Sequence, residues 1–280
     1  MEQQVMVVGA GLMGSGIAQV FALAGFQVIL TDRTEADLDK GRNYITKSIQ
    51  SMLKKEKYTL EDEQKIHANI HYASDIQLGK NVDLVIEAVP EKLALKQEVF
   101  KMLDEIVQPN AVLASNTSSL SIAAIGSVTK RPEKVIGLHF FSPVPIMRLL
   151  EIVTSIETSE ETLKRAQQYG KEIHKETVIA QDYPGFIVNR ILLPMMNEAA
   201  YLVMEGTAPE EVDRGLMLGA NHPIGPLRLA DQCGLDTTLY ALESLYDGFS
   251  DSKYRPCPLL KRMVEAGHLG RKSGKGFYEY

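Results

Sequence analysis

A histidine, His139, ends an apolar run in the stretch GLHFFSPVP. It is either a core histidine with its hydrogen bonds satisfied or a proton carrier at a site, because imidazole titrates near neutral pH. Twelve residues further on, in RLLEIV, Glu151 stands in an apolar strand, where a carboxylate is costly unless it is paired. A hairpin-like return through residues 142–145 would bring Glu151 against the imidazole. There it would set the ring tautomer and stabilise the imidazolium ion.

Other polar residues stand where predicted strands or helices end. In VIEAVPEKLALK a strand leads into Glu91 and then into a helix that carries Lys96, and ASNTSS places Asn116 and Ser118 just after another strand. Ligands of open parallel sheets bind outside the carboxyl ends of the strands, although such residues also serve as turn or helix-capping residues. Asn189 is a polar residue in the apolar helix start PGFIVNRIL, and its amide needs partners if it is buried.

The stretch VMVVGAGLMGSG predicts a dinucleotide site. Gly9, Gly11 and Gly14 have the G-x-G-x-x-G spacing, with Leu12 and Met13 between the last two, directly after an apolar strand and at a helix start. The first glycine permits the tight turn, the second admits a pyrophosphate, and the third allows close packing of helix and sheet. The free N–H groups of the helix N-terminus then face the phosphates.

The second predicted strand, QVILTD, ends at Asp32. A carboxylate there accepts hydrogen bonds from the adenosine ribose and repels a 2′-phosphate, which favours NAD over NADP. Arg33 is adjacent and could neutralise such a phosphate, so NADP stays possible. The alternative interpretation is an ordinary glycine turn with a surface aspartate.

The elements that position these residues follow an α/β pattern and then an all-helical one. The predicted strands are 5–8, 27–31, 83–88, 111–115, 134–139, 148–153 and 177–180, and the helices between them are 11–23, 35–68, 92–107 and 158–173. Alternation of strands and helices predicts a doubly wound, Rossmann-like domain with a parallel sheet covered on both faces.

After the sequence YPG the pattern is helical throughout. The predicted helices are 186–204, 209–218, 226–245 and 258–265, and the second begins with a capping box at residues 207–210 and Pro209 in the first turn. We therefore expect an NAD-binding domain over residues 1–183 and a helical substrate and dimerisation domain over 184–280. Apolar residues on most faces of 187–204 indicate burial, which a second copy of the chain could supply in a homodimer.

Composition excludes several classes of protein. A net charge of −6 and a pI near 5.6 argue against a nucleic-acid partner, and no uncharged apolar run could span a membrane. Two cysteines without a cysteine–histidine cluster argue against a metal site and fit a reducing compartment. The MEQQ start has no targeting pattern, so we expect a cytoplasmic protein. An organelle form whose presequence has been removed is the alternative.

Eight ordered motifs are similar to those of the short-chain L-3-hydroxyacyl-CoA dehydrogenase family. They are GAGLMGSGIA, ASNTSSL, GLHFFSPVP, LLEIV, PGFIVNR, HPIGPLRLAD, GLDT and GKGFYEY, and the likeness covers the chain from Val5 to Tyr280. The resemblance implies a Rossmann-like N-terminal domain and a helical C-terminal domain that dimerises. It also implies that His139 is the catalytic base and Glu151 its partner, and that Ser118 and Asn189 contact the reacting hydroxyl or carbonyl.

The resemblance further implies two ligand sites. Residues that would hold NAD, or lie beside it, are Gly9, Gly11, Gly14, Asp32, Glu91, Lys96 and Asn116. Ser48 and Lys55 are the best matches to the residues that bind coenzyme A. They lie in the locally basic segment SIQSMLKKEK, which suits phosphate groups, although any single lysine there could belong to a solvated helix face.

The implied reaction is the reversible oxidation of a (3S)-3-hydroxyacyl-CoA to the 3-oxoacyl-CoA, a step of fatty acid and butanoate metabolism. The family's free-standing bacterial members act on 3-hydroxybutyryl-CoA. One alternative is a relative that oxidises a sugar acid and has no use for a coenzyme A site. The other is a non-catalytic NAD-binding protein, which would have no need of polar groups at positions 118, 139, 151 and 189.

Overall fold

The computed structural model describes residues 3–280. Met1 and Glu2 lie outside the described residues, and with them the first half of the MEQQ start on which the expectation about targeting rests. The chain divides into two compact units, one ending at Asp182 and the other comprising Tyr183–Tyr280. The division falls within one residue of the predicted domain boundary.

An eight-stranded sheet forms the first unit, and the predicted Rossmann-like fold is confirmed. The strands are Gln4–Val8 (β1), Gln27–Thr31 (β2), Ile70–Ala73 (β3), Leu84–Glu87 (β4), Val112–Ser115 (β5), Val135–Phe140 (β6), Leu149–Thr154 (β7) and Glu176–Gln181 (β8). Their order is β3-β2-β1-β4-β5-β6-β7-β8, and neighbours are parallel except for the antiparallel pair β6–β7.

The central strands are buried on both faces of the sheet. Every residue of β4, β5 and β6 is buried, and successive side chains of a strand point to opposite faces. Both faces must therefore be covered, as expected for parallel strands joined by helices. The helices of this unit are Leu12–Ala24 (α1), Glu35–Lys54 (α2), Leu60–Asn69 (α3), Leu93–Ile106 (α4), Ile122–Gly126 (α5) and Glu160–Glu172 (α6).

The helical region predicted for residues 35–68 consists of two helices, and a short strand follows it. Helix α2 ends at Lys54, and Glu56 adopts a left-handed φ of 54°. Helix α3 begins with a capping box in which Thr59 and Asp62 satisfy each other's backbone N–H groups. Strand β3 was not predicted; it has four residues and pairs only with β2, at the edge of the sheet.

The second unit is helical, as predicted. Its helices are Val188–Met204 (α7), Pro209–Gly219 (α8), Pro226–Cys233 (α9), Leu235–Phe249 (α10) and Pro258–Glu265 (α11). The predicted helix 226–245 is divided into two helices, because Gly234 has a φ of 98°, which no α-helix can contain.

The capping box predicted at residues 207–210 is also wrong. Ala208 is the N-cap of α8, and Pro209 lies in the first turn as expected. The backbone N–H of Thr207 donates instead to Leu202 O at 3.0 Å, in the last turn of α7. In a capping box the Thr207 N–H would donate to the Glu210 side chain. Here that N–H already donates to the last turn of α7, so the capping box does not form.

Asp231, fully buried in α9, holds the C-terminal segment GKGFYEY. Its carboxylate accepts the backbone N–H groups of Phe277 and Tyr278, both at 3.0 Å, and the Tyr280 hydroxyl at 3.2 Å. Burial raises the pKa of the Asp231 carboxyl, and these three donors only partly oppose that shift. The tail motif thus has a structural purpose in the helical unit.

We predict that Asp231→Ala lowers the free energy of unfolding by about 2 to 4 kcal/mol, because two backbone N–H groups lose their acceptor. Urea denaturation measures the change. Glu279→Ala is the matched control in the same tail, where the Glu279 side chain is 84% exposed, and should stay within about 0.5 kcal/mol of wild type. Equal effects of the two substitutions would contradict the structural purpose of Asp231.

Candidate active site

His139 and Glu151 face each other across the antiparallel strands β6 and β7. They are directly paired in the register, and His139 Nδ1–H donates to Glu151 Oε2 at 2.6 Å. Glu151 is completely buried and His139 is 6% exposed. The strand pair therefore supplies the return that was predicted to bring the carboxylate to the imidazole. This bond selects the ring tautomer in which Nε2 is the proton acceptor.

The end of β6 is also fixed from β5. Asn116 follows β5 directly, and its Oδ1 accepts the backbone N–H of Phe140 at 2.9 Å. The ring of Phe141 lies 4.4 Å from the imidazole of His139, centroid to centroid. Asn116 thus holds the strand that carries the histidine.

Glu91 organises the loop that contains Ser118. Its Oε1 accepts hydrogen bonds from the Thr117 hydroxyl at 2.6 Å and from the Ser118 backbone N–H at 2.9 Å, with the Ser118 hydroxyl at 3.3 Å. Burial opposes ionisation of Glu91, but the charge of Lys96 and these donors outweigh it and hold the pKa of Glu91 below its usual value. The carboxylate is therefore ionised at neutral pH and keeps Ser118 in place.

Lys96 is buried beneath this loop between two carboxylates. It is 1% exposed, and its Nζ lies 2.7 Å from Glu87 Oε1 and 3.2 Å from Glu91 Oε2. Glu87, at the end of β4, also accepts the Ser115 hydroxyl at 2.6 Å. Glu87 was not predicted, although a glutamate in an apolar strand is the same signal that identified Glu151.

Helix α5 begins after the Ser118 loop. The side chain of Ser121 caps its N-terminus by accepting the Ala124 N–H at 3.1 Å. The Asp182 carboxylate accepts from the Ile122 and Ala123 N–H groups, both at 2.8 Å. Ser121 is therefore a helix-capping residue.

The glycine loop after β1 has the shape that a pyrophosphate needs. Gly9 has a φ of 106°, and a Cβ on Gly14 would lie only 1.8 Å from Gly9 O. In contrast, a Cβ on Gly11 would meet no atom of residues 3–280 within 4 Å, apart from its chain neighbours. No side chain among the described residues caps the N-terminus of α1, so its first N–H groups are left for a phosphate.

Asp32 lies at the end of β2 and is joined to that loop. Its carboxylate accepts the Ala10 N–H and the Arg33 N–H, both at 2.7 Å. Beside it is a cavity of about 730 Å³ whose walls include Gly9, Gly11, Leu12, Met13, Asp32 and Arg33. The volume and the glycine loop fit a dinucleotide, and the carboxylate is placed for the adenosine ribose.

Ser48 and Lys55 share a second cavity, of about 340 Å³. One wall is α2 and its C-terminal end, with Lys47 and Ser51 beside the two residues already named. Residues of α1 and residues 142–146, in the loop that follows β6, also line it. The structure thus brings the basic segment of α2 to the loop that leads away from His139.

Asn189 lies in the first turn of α7, in the helical unit, and is half-buried rather than fully buried. Among residues 3–280, no group of three or more histidine, cysteine, aspartate or glutamate side chains is placed to hold a metal ion. None of the described helices is both long and apolar enough to cross a membrane.

Comparison with known proteins decides the family. Residues 4–183 match the model of the 3-hydroxyacyl-CoA dehydrogenase NAD binding domain, and residues 185–280 match that of the 3-hydroxyacyl-CoA dehydrogenase C-terminal domain. The chain belongs to the 3-hydroxyacyl-CoA dehydrogenase family. It is thus an NAD-dependent oxidoreductase, and the resemblance drawn from the eight motifs is confirmed.

Relatives in this family are similar over nearly their whole length. The 3-hydroxybutyryl-CoA dehydrogenase of Bradyrhizobium diazoefficiens is 45% identical over 99% of this chain and 95% of that protein. That of Clostridioides difficile is 45% identical over 98% of both. The crystal structure of (S)-3-hydroxybutyryl-CoA dehydrogenase from Ralstonia eutropha superposes with a TM-score of 0.95, at 45% identity, covering 100% of this chain and 99% of the other.

Two glycine substitutions separate cofactor binding from folding in this dehydrogenase. We predict that Gly11→Ala keeps the melting temperature near wild type and weakens NADH binding by at least about tenfold, since its methyl group would occupy space meant for the pyrophosphate. Gly14→Ala should lower the melting temperature, because its Cβ would overlap Gly9 O. Isothermal titration calorimetry with NADH and thermal unfolding measure the two effects. NADH binding that survives Gly11→Ala unchanged would contradict this assignment.

Proposed function

We propose that this protein catalyses the reversible, NAD-dependent oxidation of (3S)-3-hydroxybutyryl-CoA to acetoacetyl-CoA. The observation that carries the proposal is the buried pair of His139 and Glu151, with 2.6 Å between Nδ1 and Oε2. Strands β1, β4, β5 and β6 are parallel, so the histidine stands at the same edge of the sheet as the glycine loop. The names of the relatives support the four-carbon substrate.

Bound NAD supplies the hydride acceptor, or as NADH the hydride donor. His139 removes the proton of the C3 hydroxyl through Nε2 in the oxidation and returns it in the reduction. Glu151 keeps Nδ1 protonated and stabilises the imidazolium that forms, as an orienting carboxylate does in other acid–base pairs. Because both groups are buried, their attraction is little screened by water.

Ser118 is proposed to bind the reacting oxygen of the substrate. Support comes from its place at the end of β5 and from Glu91, which fixes its backbone N–H at 2.9 Å. The same assignment for Asn189 rests on the resemblance alone. For coenzyme A, the support is the cavity shared by Ser48 and Lys55, where an ammonium group and hydroxyls suit phosphates.

We also propose that the enzyme is a homodimer located in the cytoplasm. Helix α7 presents large apolar side chains to solvent, since Ile191 is 70% exposed and Met204 is 45% exposed. A second copy of the chain would cover them and explain why α7 is apolar on most faces. Both cysteines are free thiols, which suits a reducing compartment.

The reaction is tested by initial rates of NADH and NADPH oxidation with acetoacetyl-CoA, a longer 3-oxoacyl-CoA and a free 3-oxo acid. We expect turnover of the thioesters, a higher kcat/KM with NADH than with NADPH, and no turnover of the free acid. Turnover of the free 3-oxo acid and of neither thioester would favour the related sugar-acid dehydrogenases. NADH binding without turnover of any substrate would favour a non-catalytic protein.

The role of His139 is tested separately. We predict that His139→Gln lowers kcat by about two to four orders of magnitude, the usual contribution of general acid–base catalysis, and leaves the Kd for NADH near wild type. Stopped-flow turnover and NADH titration give the two quantities. If the variant unfolds and its remaining folded fraction is fully active, His139 is a core histidine with no part in the chemistry.

A further inference from the structure

The loop between β6 and β7 connects the two halves of the catalytic pair and walls the cavity that contains Ser48 and Lys55. Its residues 142–146 line that cavity. The Val144 side chain is buried, and it packs so closely on α1 that a Cβ on Gly16 would approach it to 2.9 Å. The wall of the cavity is therefore a loop, and its shape depends on what holds its backbone.

Lys175 holds that backbone from outside the loop. Its Nζ donates to Val144 O and to Met147 O, both at 2.6 Å. Within the loop, Pro143 O accepts the N–H groups of Ile146 and Met147, at 2.9 and 3.0 Å. One ammonium group thus ties together two carbonyls at opposite ends of a single turn.

None of the ion pairs among residues 3–280 includes Lys175. Its ammonium group therefore interacts with backbone carbonyl groups and not with a carboxylate. Burial of the ammonium group lowers the pKa of Lys175 to about 8, which shows that holding it there has a cost. Local structure does not need the amine. The backbone N–H of Lys175 donates to Gly170 O at 2.8 Å, and that of Glu176 donates to Arg148 O at 2.8 Å, so these contacts hold the start of β8.

We propose that Lys175 is a positioning residue for the acyl-CoA substrate: it holds the 142–147 loop in the shape that forms one wall of the coenzyme A cavity. This inference rests on the proposed function. It predicts an effect on thioester binding and none on NADH binding, because the cavity that contains Asp32 has no wall from this loop.

The test compares Lys175→Met, which keeps the length of the side chain without its donors, with Lys171→Met. Lys171 is an exposed lysine in the last turn of α6, so the control removes the same charge without touching the loop. We expect Lys175→Met to raise the KM for acetoacetyl-CoA about tenfold, the loss expected for a hydrogen bond from a charged donor, with the KM for NADH within about twofold of wild type. Lys175→Arg, which keeps charge and donors, should restore most of the affinity.

Hydrogen exchange tests the anchoring without relying on turnover. The Ile146 and Met147 amides should exchange faster in Lys175→Met than in wild type or Lys171→Met. An unchanged KM for acetoacetyl-CoA in Lys175→Met overturns the proposal, as does an equal rise in both KM values. Lys55→Met tests the cavity itself: if it raises the thioester KM and Lys175→Met does not, only the inference about Lys175 fails. A wild-type enzyme that turns over no thioester refutes the proposed function instead, whatever the exchange rates show.

Discussion

The carboxylate of Glu151 is completely buried, and the structure around the histidine depends on its being paired. An uncompensated buried charge costs several kcal/mol, so a register of β6 and β7 that separated it from His139 would be strongly disfavoured. A shift of β7 by one residue against β6 would also place the His139 and Glu151 side chains on opposite faces of the sheet. The pairing that stabilises this register therefore also places His139 at the edge of the sheet and fixes the tautomer of its ring. Under the proposed mechanism, folding and catalysis therefore make the same demand.

A second buried set of charges repeats this principle on the neighbouring strands. Lys96 lies between the carboxylates of Glu87 and Glu91, within 2.7 and 3.2 Å. Glu91 in turn holds the Ser118 loop, while Asn116 fixes the end of β6. Polar groups from β4, β5 and β6 are thus satisfied by one another at the carboxyl edge. Such fully bonded networks are rigid, and rigidity is what a site for proton and hydride transfer requires.

The ligand cavities depend on space as much as on charge. Gly14 permits the close approach of helix and loop, whereas the position of Gly11 is open. In the proposed coenzyme A cavity, part of the wall is a loop in which the Val144 and Met147 carbonyls accept hydrogen bonds from Lys175. The cofactor cavity therefore depends on the close contact of backbone atoms at Gly14, and the proposed thioester cavity depends on a loop that a side chain holds. A Cβ at Gly14 would overlap Gly9 O, whereas the loop is held by an ammonium group that lies beyond β7 and α6 in the chain.

Local patterns in the sequence were sufficient to predict three features: the division into an α/β unit and a helical unit, the glycine loop, and the pairing of His139 with Glu151. These features depend on nearest neighbours along the chain: strand periodicity, G-x-G-x-x-G spacing and a carboxylate among apolar residues. Predictions about where helices end were less successful. The backbone N–H of Thr207 donates to the preceding helix, and Gly234 separates α9 from α10. The four-residue strand β3 was also not predicted, and it pairs with the edge of β2.

Apart from the pair of His139 and Glu151, only the tertiary structure decided which polar groups meet. Glu87 and Lys96 are nine residues apart and form a buried ion pair, and Lys175 contacts a loop about thirty residues earlier in the chain. Hydrogen bonds of this kind leave no local periodicity, because the geometry that permits them comes from strand order and from the packing of α6 and β8 beside β7. The sequence therefore determined the kinds of group available for chemistry, and the fold determined their partners, since the cost of a buried charge is removed only by a neighbour in space.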